Sequence, residues 1–536
     1  MRSAMVKDFA RVPQNIIQRS TFARPRTRKQ TFNAGYLVPI YLDEVNPAET
    51  FNVQMTAFMR MLSPLNVPIM DNLYFDSFFF FVPLRLIWDD FKHFMGERDD
   101  PNDDPTDFIT PQVVAPSSGG FAVGSLFDYF GLPTGTVSQS MSVNAVASRA
   151  YNLIYNDWFR DQNLIDSVTV DRGAGPDNPA DYILRKSGKR HDYFTSCLPW
   201  PQKGEDILLP IGSSAPVSTS SSNVLTGVHP PLTFRYANGA SITGSKNFYT
   251  DGMSASISDS PSPNNGLGTV YPSNLMVDLS SATAASINDI REAFAMQRYL
   301  EKDARSGTRY PEMVRSRFGA IVPDFRLQRP EYLGGGTTRI NVTPIAQNSA
   351  SSTTAQGNLA AIAATSAKHG FVHSFVEHGI VIGLCRIRAD LTYQQGLHRM
   401  WTRRVREDFY APEFAHLGEQ AVLNKEIYYQ GVAGTGAAQD DGVFGYQERY
   451  AEFRYAPSQI CGELKSTYAQ PLDMWHLAQK FTSLPTLSPA FIEESLPMSR
   501  VKAVTTAPDF VGDFFFDETT ARPMPTFGVP GFMDHF

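Results

Sequence analysis

Apolar runs rich in β-branched and aromatic residues recur near both ends of the chain. They are YLVPIYL (36–42), FNVQMTAFMRM (51–61), LYFDSFFFFV (73–82), FVHSFVEHGIVIGLCRIRA (371–389) and GVFGYQERYAEFRY (442–455). Each predicts a strand, and helices and loops fill the chain between the two groups. A sandwich in which early strands pair with late ones satisfies that distribution, and a jelly roll is one such sandwich.

Two segments carry the helical period instead. PLRLIWDDFKHFMG places Leu84, Ile87, Trp88, Phe91 and Met95 on one side, with Gly96 as the stop. SVNAVASRAYNLIYNDWF brings Val143, Val146, Ala150, Leu153 and Ile154 together. Stripes of this spacing are read as core. A third helix is predicted where Ser286 and Asp289 form a capping-box pattern ahead of Ile290, Ala293, Phe294, Gln297 and Leu300. Gly307 supplies its stop, and Pro311, Pro323 and Pro330 predict an extended, rigid continuation through the Arg-rich stretch that ends at Gly336.

Residues 204–275 break from this patterning. Ser, Thr, Gly, Asn and Pro dominate there, although Phe234, Tyr236, Phe248 and Tyr249 are interspersed. Too little apolar surface is available to offset the ordering entropy, so a partly ordered surface insertion is expected. The second polar stretch, 347–370, reads as a long loop. No fixed-period repeat is present, which argues against solenoids and propellers.

Composition sharpens this picture. Across 536 residues, charged side chains make up only 19% while aromatics reach 12%, with 38 Phe. Interfaces deplete charge and enrich aromatics, so much of the surface is expected to be covered by neighbours. The net charge of −7 is unevenly spread: the first thirty residues hold eight Arg and Lys against Asp8 alone, which leaves the remainder at −14. A basic arm on an acidic body suits contact with a polyanion, and Arg19, Arg24, Arg26, Arg28 and Lys29 are the candidate nucleic-acid contacts. Cys197, Cys385 and Cys461 are far apart and without zinc spacing, as expected of a chain folded in a reducing cytoplasm. The N-terminus has no apolar signal region, and FFFFV (78–82) and GIVIGLC (379–385) are too short to cross a bilayer, so a soluble protein is predicted.

Candidate chemistry fails on its details. In DDPNDDPTD (99–107), Asp100, Asn102 and Asp104 take the first three EF-hand ligand positions. Pro105 then stands where Gly is needed and Pro111 where the bidentate Glu belongs. His369, His373 and His378 cluster in sequence, but on a strand His373 and His378 point to opposite faces. GASITGSK (239–246) interrupts the phosphate-loop pattern with Ser245, and GTG (434–436) has Gln439 in place of the third Gly. No nucleophile elbow occurs. No catalytic, cofactor or metal residues are therefore assigned, and a non-enzyme is expected. The run HRMWTRRVREDFY (398–410) interleaves Arg399, Arg403, Arg404 and Arg406 with Trp401, Phe409 and Tyr410. It suits either single-stranded DNA or a subunit interface, and the interface is the preferred reading.

A resemblance spans nearly the whole chain. The phrases FNAGYLVPIYLDEVNP (32–47), RMLSPLNVPIMDNLYFDSFFFFVPLRLIWDDF (60–91), RAYNLIYNDWFRDQNL (149–164), RADLTYQQGLHRMWTR (388–403), FGYQERYAEFRY (444–455) and RPMPTFGVPGFMDHF (522–536) occur in order, together with Arg291–Gly336. In that order they resemble the major capsid proteins of microviruses, and the gokushovirus-type branch in particular. The resemblance implies an all-β fold, an eight-stranded antiparallel jelly roll with long inserted loops and several helices. It implies sixty copies in a T=1 icosahedral shell around a circular single-stranded DNA phage genome. The implied partners are a small basic DNA-packaging protein, a DNA pilot protein and a host surface receptor, with assembly in the host cytoplasm.

On this reading residues 1–35 are an interior-facing basic arm, and 36–203 begin the jelly-roll body. Residues 204–275 are a three-fold protrusion that presents Phe234, Tyr236, Phe248 and Tyr249 to the host. Residues 276–521 complete the body, and 522–536 form an extended C-terminal arm. The competing expectation is a β-sandwich carbohydrate-binding surface protein. A hydrolase on the same sandwich would need carboxylates that converge in a cleft.

Overall fold

The computed structural model describes residues 18–100, 108–116, 120–135, 141–207, 217–219, 233–236, 241, 247–250, 255–258, 270–273, 275–277, 287–352, 356–431 and 439–527. The chain divides into two compact units, residues 1–201 with 303–536, and residues 202–302.

In the larger unit, nine strands form one folded sheet. They are β1 (Ser20–Ala23), β2 (Arg26–Phe32), β3 (Val38–Val45), β4 (Thr50–Met61), β5 (Leu73–Pro83), β6 (Glu331–Ala346), β7 (Leu359–Ser374), β8 (Gly379–Ala389) and β9 (Phe510–Arg522). β1 and β2 lie end to end along β9, Ser20 opposite Arg522 and Phe32 opposite Phe510, so they act as one interrupted strand. The order across the sheet is then β1/β2, β9, β4, β7, β6, β5, β8, β3. All pairings are antiparallel. The fold occurs because the sixteen-residue β6 changes partner midway: residues 331–340 pair with β5, and 341–346 pair with β7. Two four-stranded layers result, and early strands pair with late ones as in a jelly roll.

Rings from both layers meet in the space between them. Phe75 lies 6.2 Å from Phe514, Tyr41 5.1 Å from Phe516, and Phe79 5.1 Å from Phe371. The layers differ in their outer faces. β4 alternates strictly, burying Phe51, Val53, Met55, Ala57, Met59 and Met61 while intervening positions are open. β5 and β8 are instead buried almost throughout. Phe75, Phe79 and Phe81 enter the inter-layer core, whereas Phe80 and Val82 join a second core with Ile380, Ile382 and Leu384. A helix, α1 (Val146–Ile154), covers that outer face with Ala150, Tyr151 and Ile154. A continuous apolar run such as FFFFV is what a strand covered on both sides requires. A third core, around Phe194, Val422, Phe444 and Phe491, lies within the segments that bracket the insertion and fill the β8–β9 connection.

The smaller unit carries three nested antiparallel pairs: Val217–Thr219 with Leu275–Val277, Phe234–Tyr236 with Val270–Pro272, and Asn247–Thr250 with Ala255–Ser258. Helix α2 (Ile287–Arg305) follows. Ile290, Ala293, Gln297 and Leu300 of the predicted stripe are among its more covered positions, but Phe294, predicted with them, is two-thirds exposed.

Several expectations need correction. Pro311 does not begin an extended segment; it sits in the first turn of α3 (Tyr310–Phe318), where a missing N–H costs nothing. Pro323 likewise precedes a short helical turn, Asp324–Leu327, so the extended chain begins only after Pro330. The helix expected over 84–96 is two short turns, Leu84–Leu86 and Phe91–Phe94; Met95 is exposed. The loop expected over 347–370 is half strand. Ala361, Ala363, Thr365 and Ala367 point into the core, and pairing with β4 and β6 on either side holds the segment extended despite its low strand propensity.

Candidate assembly and nucleic-acid surfaces

The basic run is a strand over its described part. β2 alternates Arg26, Arg28 and Gln30 on the more covered side with Thr27, Lys29 and Thr31 on the open side. Arg24 stands 2.9 Å from Asp43 and 3.1 Å from Glu518. Arg26 stands 3.0 Å and 3.3 Å from the same two carboxylates, and its guanidinium lies 4.4 Å over the Tyr41 ring. Arg28 donates to the carbonyl of Tyr129. Arg19 donates to Thr50 Oγ1 at 2.6 Å, and Lys29 pairs with Asp513 at 2.6 Å on open surface. Burial, reinforced by the nearby Asp43 charge, pushes the Glu518 carboxyl above its usual range. Arg24 and Arg26 therefore serve first as counter-charges within the subunit. Arg2, Lys7 and Arg11 lie outside the described residues.

The 398–410 segment separates its two residue types. Arg399 opens a short 3-10 turn and donates to the Ala421 carbonyl at 2.8 Å and to Glu426 at 3.2 Å. Arg403 pairs with Glu452 at 3.1 Å and stacks 4.5 Å over Phe453. Both arginines thus anchor the segment. Trp401 is 70% exposed, and Val405, Phe409, Tyr410, Phe453 and Tyr455 are exposed as well, with Phe409 and Phe453 gathered about Arg403 and Tyr410 against Phe453. Arg404 and Arg406 are exposed and have no ion-pair partner among the described residues. The result is an apolar, aromatic surface fringed by free cations, a composition typical of interface hot spots.

In the insertion, Phe234 and Tyr236 share one strand, and Phe248 and Tyr249 lie on the innermost hairpin. The side chains of Tyr236, Phe248 and Tyr249 fall outside the described residues, as do residues 101–107 of the acidic run and 528–536 of the C-terminal arm.

Buried ionisable groups are locked into the scaffold. Burial alone would raise the Asp76 carboxyl, but Thr337, Arg388 and Arg386 hold it below the usual range. Arg386 and Arg388 approach it at 3.0 Å and 2.8 Å. Burial pushes Glu494 up to about 7, against the pull of Lys189, Arg386 and Arg388. It also pushes Lys189 down to about 8. His369 is held by Ser77 at 2.7 Å and Thr338 at 2.9 Å, His373 lies 3.7 Å from Glu331, and His378 packs on Phe91. Among the described residues no group of three His, Cys, Asp or Glu could hold a metal ion. Cys197 and Cys385 are buried thiols and Cys461 an exposed one. No helix among the described residues is long and apolar enough to cross a membrane.

One feature escaped the sequence. A cleft of about 660 Å³ is lined by Phe78, Phe159 and Tyr332 on one part and by Arg160, Lys189, Arg190 and Arg309 on another. Its residues come from seven separated stretches, so no local pattern marks it.

The family model described as "Capsid protein (F protein)" matches residues 10–532. The chain is 48% identical to "Capsid protein VP1" of Bdellovibrio phage phiMH2K over 535 residues, covering 98% of each chain. It is 40% identical to "Capsid protein VP1" of Chlamydia phage 1, over 99% of this chain and 98% of that one. Capsid protein VP1 of Spiroplasma virus 4 is 37% identical at the same coverage. Matches of this length and identity, on a jelly-roll body with an interface-like aromatic surface, make the chain a virion component. It belongs to the F-protein family of capsid proteins, the gokushovirus-type microvirus family that its ordered phrases resemble.

Proposed function

We propose that sixty copies of this chain close into a T=1 icosahedral shell around a circular single-stranded DNA phage genome. The observation that carries this reading is the full-length match to the three phage capsid proteins VP1. The exposed aromatic surface around Trp401 and Phe409 supports it from the geometry, because such a surface needs a partner to cover it. In a closed shell each contact can be modest, since every copy repeats it and no edge remains open.

The same reading gives the insertion 204–275 the role of host attachment, at three-fold protrusions that carry Phe234, Tyr236, Phe248 and Tyr249. Arg399, Trp401, Arg403, Arg404 and Arg406 contribute to a subunit interface, with Arg399 and Arg403 acting from behind as anchors. Arg19, Arg24, Arg26, Arg28 and Lys29 were the expected DNA contacts. Of these, Lys29 and Arg19 are the better placed, because Arg24 and Arg26 already neutralise buried carboxylates. A small basic DNA-packaging protein and a DNA pilot protein complete the particle, which assembles in the host cytoplasm. Co-expression with those partners, followed by sedimentation and electron microscopy, tests the proposal. Uniform closed shells are expected. A small oligomer that binds glycan would instead favour a β-sandwich carbohydrate-binding protein.

A further inference from the structure

The cleft beside β5 and α3 has two walls of different chemistry. The aromatic wall is continuous: Phe78 and Phe159 meet at 5.1 Å, Phe80 and Trp158 at 5.4 Å, and Trp158 and Tyr332 at 6.0 Å. Arg329 caps one side of Trp158 at 4.5 Å, so Tyr332, 43% exposed, offers the open ring.

The rest of the lining is basic. Six Arg and Lys line the cleft against only Asp161 and Glu312. Part of that charge is spent internally, Arg305 on Glu419, Arg309 on Glu312 and Arg386 on Asp76. Lys189 is buried, with its ammonium on Gln479 at 2.9 Å and on the Phe491 carbonyl at 2.5 Å. Arg160, which donates to the Ile165 carbonyl at 2.6 Å, and Arg190 have no carboxylate at ion-pair distance among the described residues, and His191 beside them is exposed. Arg309 donates to the Arg160 backbone carbonyl at 2.8 Å, which brings two guanidinium groups into one neighbourhood. Burial and that like charge push Arg160 below its usual range, so an added anion is favoured there.

We infer that this cleft binds a segment of single-stranded nucleic acid, with a base stacked on Tyr332 and phosphates on Arg160 and Arg190. Alternating stacking platforms and cations are how proteins hold single strands without reading sequence. A volume of about 660 Å³ is within the range that holds a ligand of nucleotide size. An acidic peptide would engage the basic wall but leave the aromatic wall unused. The inference rests on the genome-enclosing reading above and names the place where the strand is held.

The test is fluorescence anisotropy of a labelled oligothymidylate with the purified full chain, across a salt series. Tyr332→Ala is expected to weaken binding about tenfold, and Tyr332→Phe to restore it. Arg190→Ala, an exposed and unpaired position, is expected to lower the slope of log K against log salt by about 0.7. Unlabelled polyphosphate should compete less well than an oligonucleotide of equal charge. Unchanged affinity and slope in both Ala variants overturns the inference. So does equal competition by polyphosphate or polyglutamate. Assembly of the Tyr332→Ala/Arg190→Ala chain with undiminished DNA content also overturns it, while leaving the capsid reading intact. Failure of the unmodified chain to form shells with its partners counts against the capsid reading itself.

Discussion

Arg26 of β2 and Asp43 of β3 meet at 3.0 Å, and the two strands belong to opposite layers of the sandwich. Neither strand has a further neighbour on its outer side in the sheet order. The pair therefore closes the open edge of the jelly roll with charge, where hydrogen bonding between strands ends. Glu518 on β9 shares Arg24 and Arg26 with Asp43, so removing either arginine concentrates negative charge on the covered side of the edge.

Arg26→Ala is accordingly expected to destabilise the subunit by about 1–3 kcal/mol, because it strips a counter-charge from a buried carboxylate. Lys29→Ala, on open surface beside Asp513, should change stability by no more than about 0.5 kcal/mol. Urea unfolding of both variants checks the contrast. Equal effects would mean that β2 contributes its charge only to solvent. A block replacement of the basic run should consequently lose particles through misfolding before any loss of DNA contact can be read.

Arg149 and Asp177 form a fully buried pair, with Nε and Nη2 of the arginine at 2.8 Å and 2.5 Å from the two carboxylate oxygens. Arg149 also donates to the Ile87 carbonyl at 3.0 Å, joining α1 to the turn after β5. Arg149→Ala is expected to cost about 3–5 kcal/mol by leaving a buried carboxylate without its counter-charge, with only the Tyr182 hydroxyl still donating to it from a side chain. Arg149→Met/Asp177→Asn should recover part of that loss, since no net charge is left buried. Thermal unfolding of the single and double variants decides it.

Glu494 supplies a pH test. Its folded pKa of about 7 lies above the ordinary 4.5, so the folded state holds the proton more tightly than the unfolded state does. Stability from this group is greatest below about 4.5 and falls as pH rises toward about 7. Lys189, lowered to about 8, contributes the opposite trend from there toward 10.5. Glu494→Gln should match the parent near pH 4.5 and exceed it at pH 7.5, by up to about 3 kcal/mol. Parallel stability curves for the two proteins between those pH values would refute the assignment.

Trp401→Ala removes an exposed ring, so folding stability should stay within about 0.5 kcal/mol. Assembly should suffer instead, with the concentration needed to form shells rising about tenfold or more. Sedimentation velocity across a concentration series measures this. An unchanged threshold would place the aromatic surface outside the interface.

Much of the scaffold was legible in residue order. The strands β3, β4, β5 and β8 announce themselves by apolar, aromatic and β-branched runs, and the α1 stripe by its period. The remaining strands were hidden for physical reasons. RTRKQTF in β2 reads as solvated charge until Asp43 and Glu518 are brought beside it by β3 and β9. LAAIAATSAKHG in β7 has low strand propensity, yet the ladders with β6 and β4 on its two sides hold it extended. The opening of β6, YLGGG, reads as a breaker; a Cβ at Gly336 would stand 2.5 Å from the His369 ring, so glycine is what lets the strand pass. Of the candidate surfaces, the Trp401 run was visible as a local pattern. The cleft was not, because Tyr332, Arg160 and Arg190 converge only after the β5–β6 connection folds back.

Assembly into a sixty-copy shell is tested most directly by electron cryomicroscopy of the particle that the full chain forms with its packaging and pilot partners. Closed shells of uniform diameter are expected, in which sixty jelly-roll subunits repeat, with Trp401 covered by a neighbouring copy. A chain that stays monomeric under these conditions, or shells in which Trp401 remains open to solvent, would contradict it.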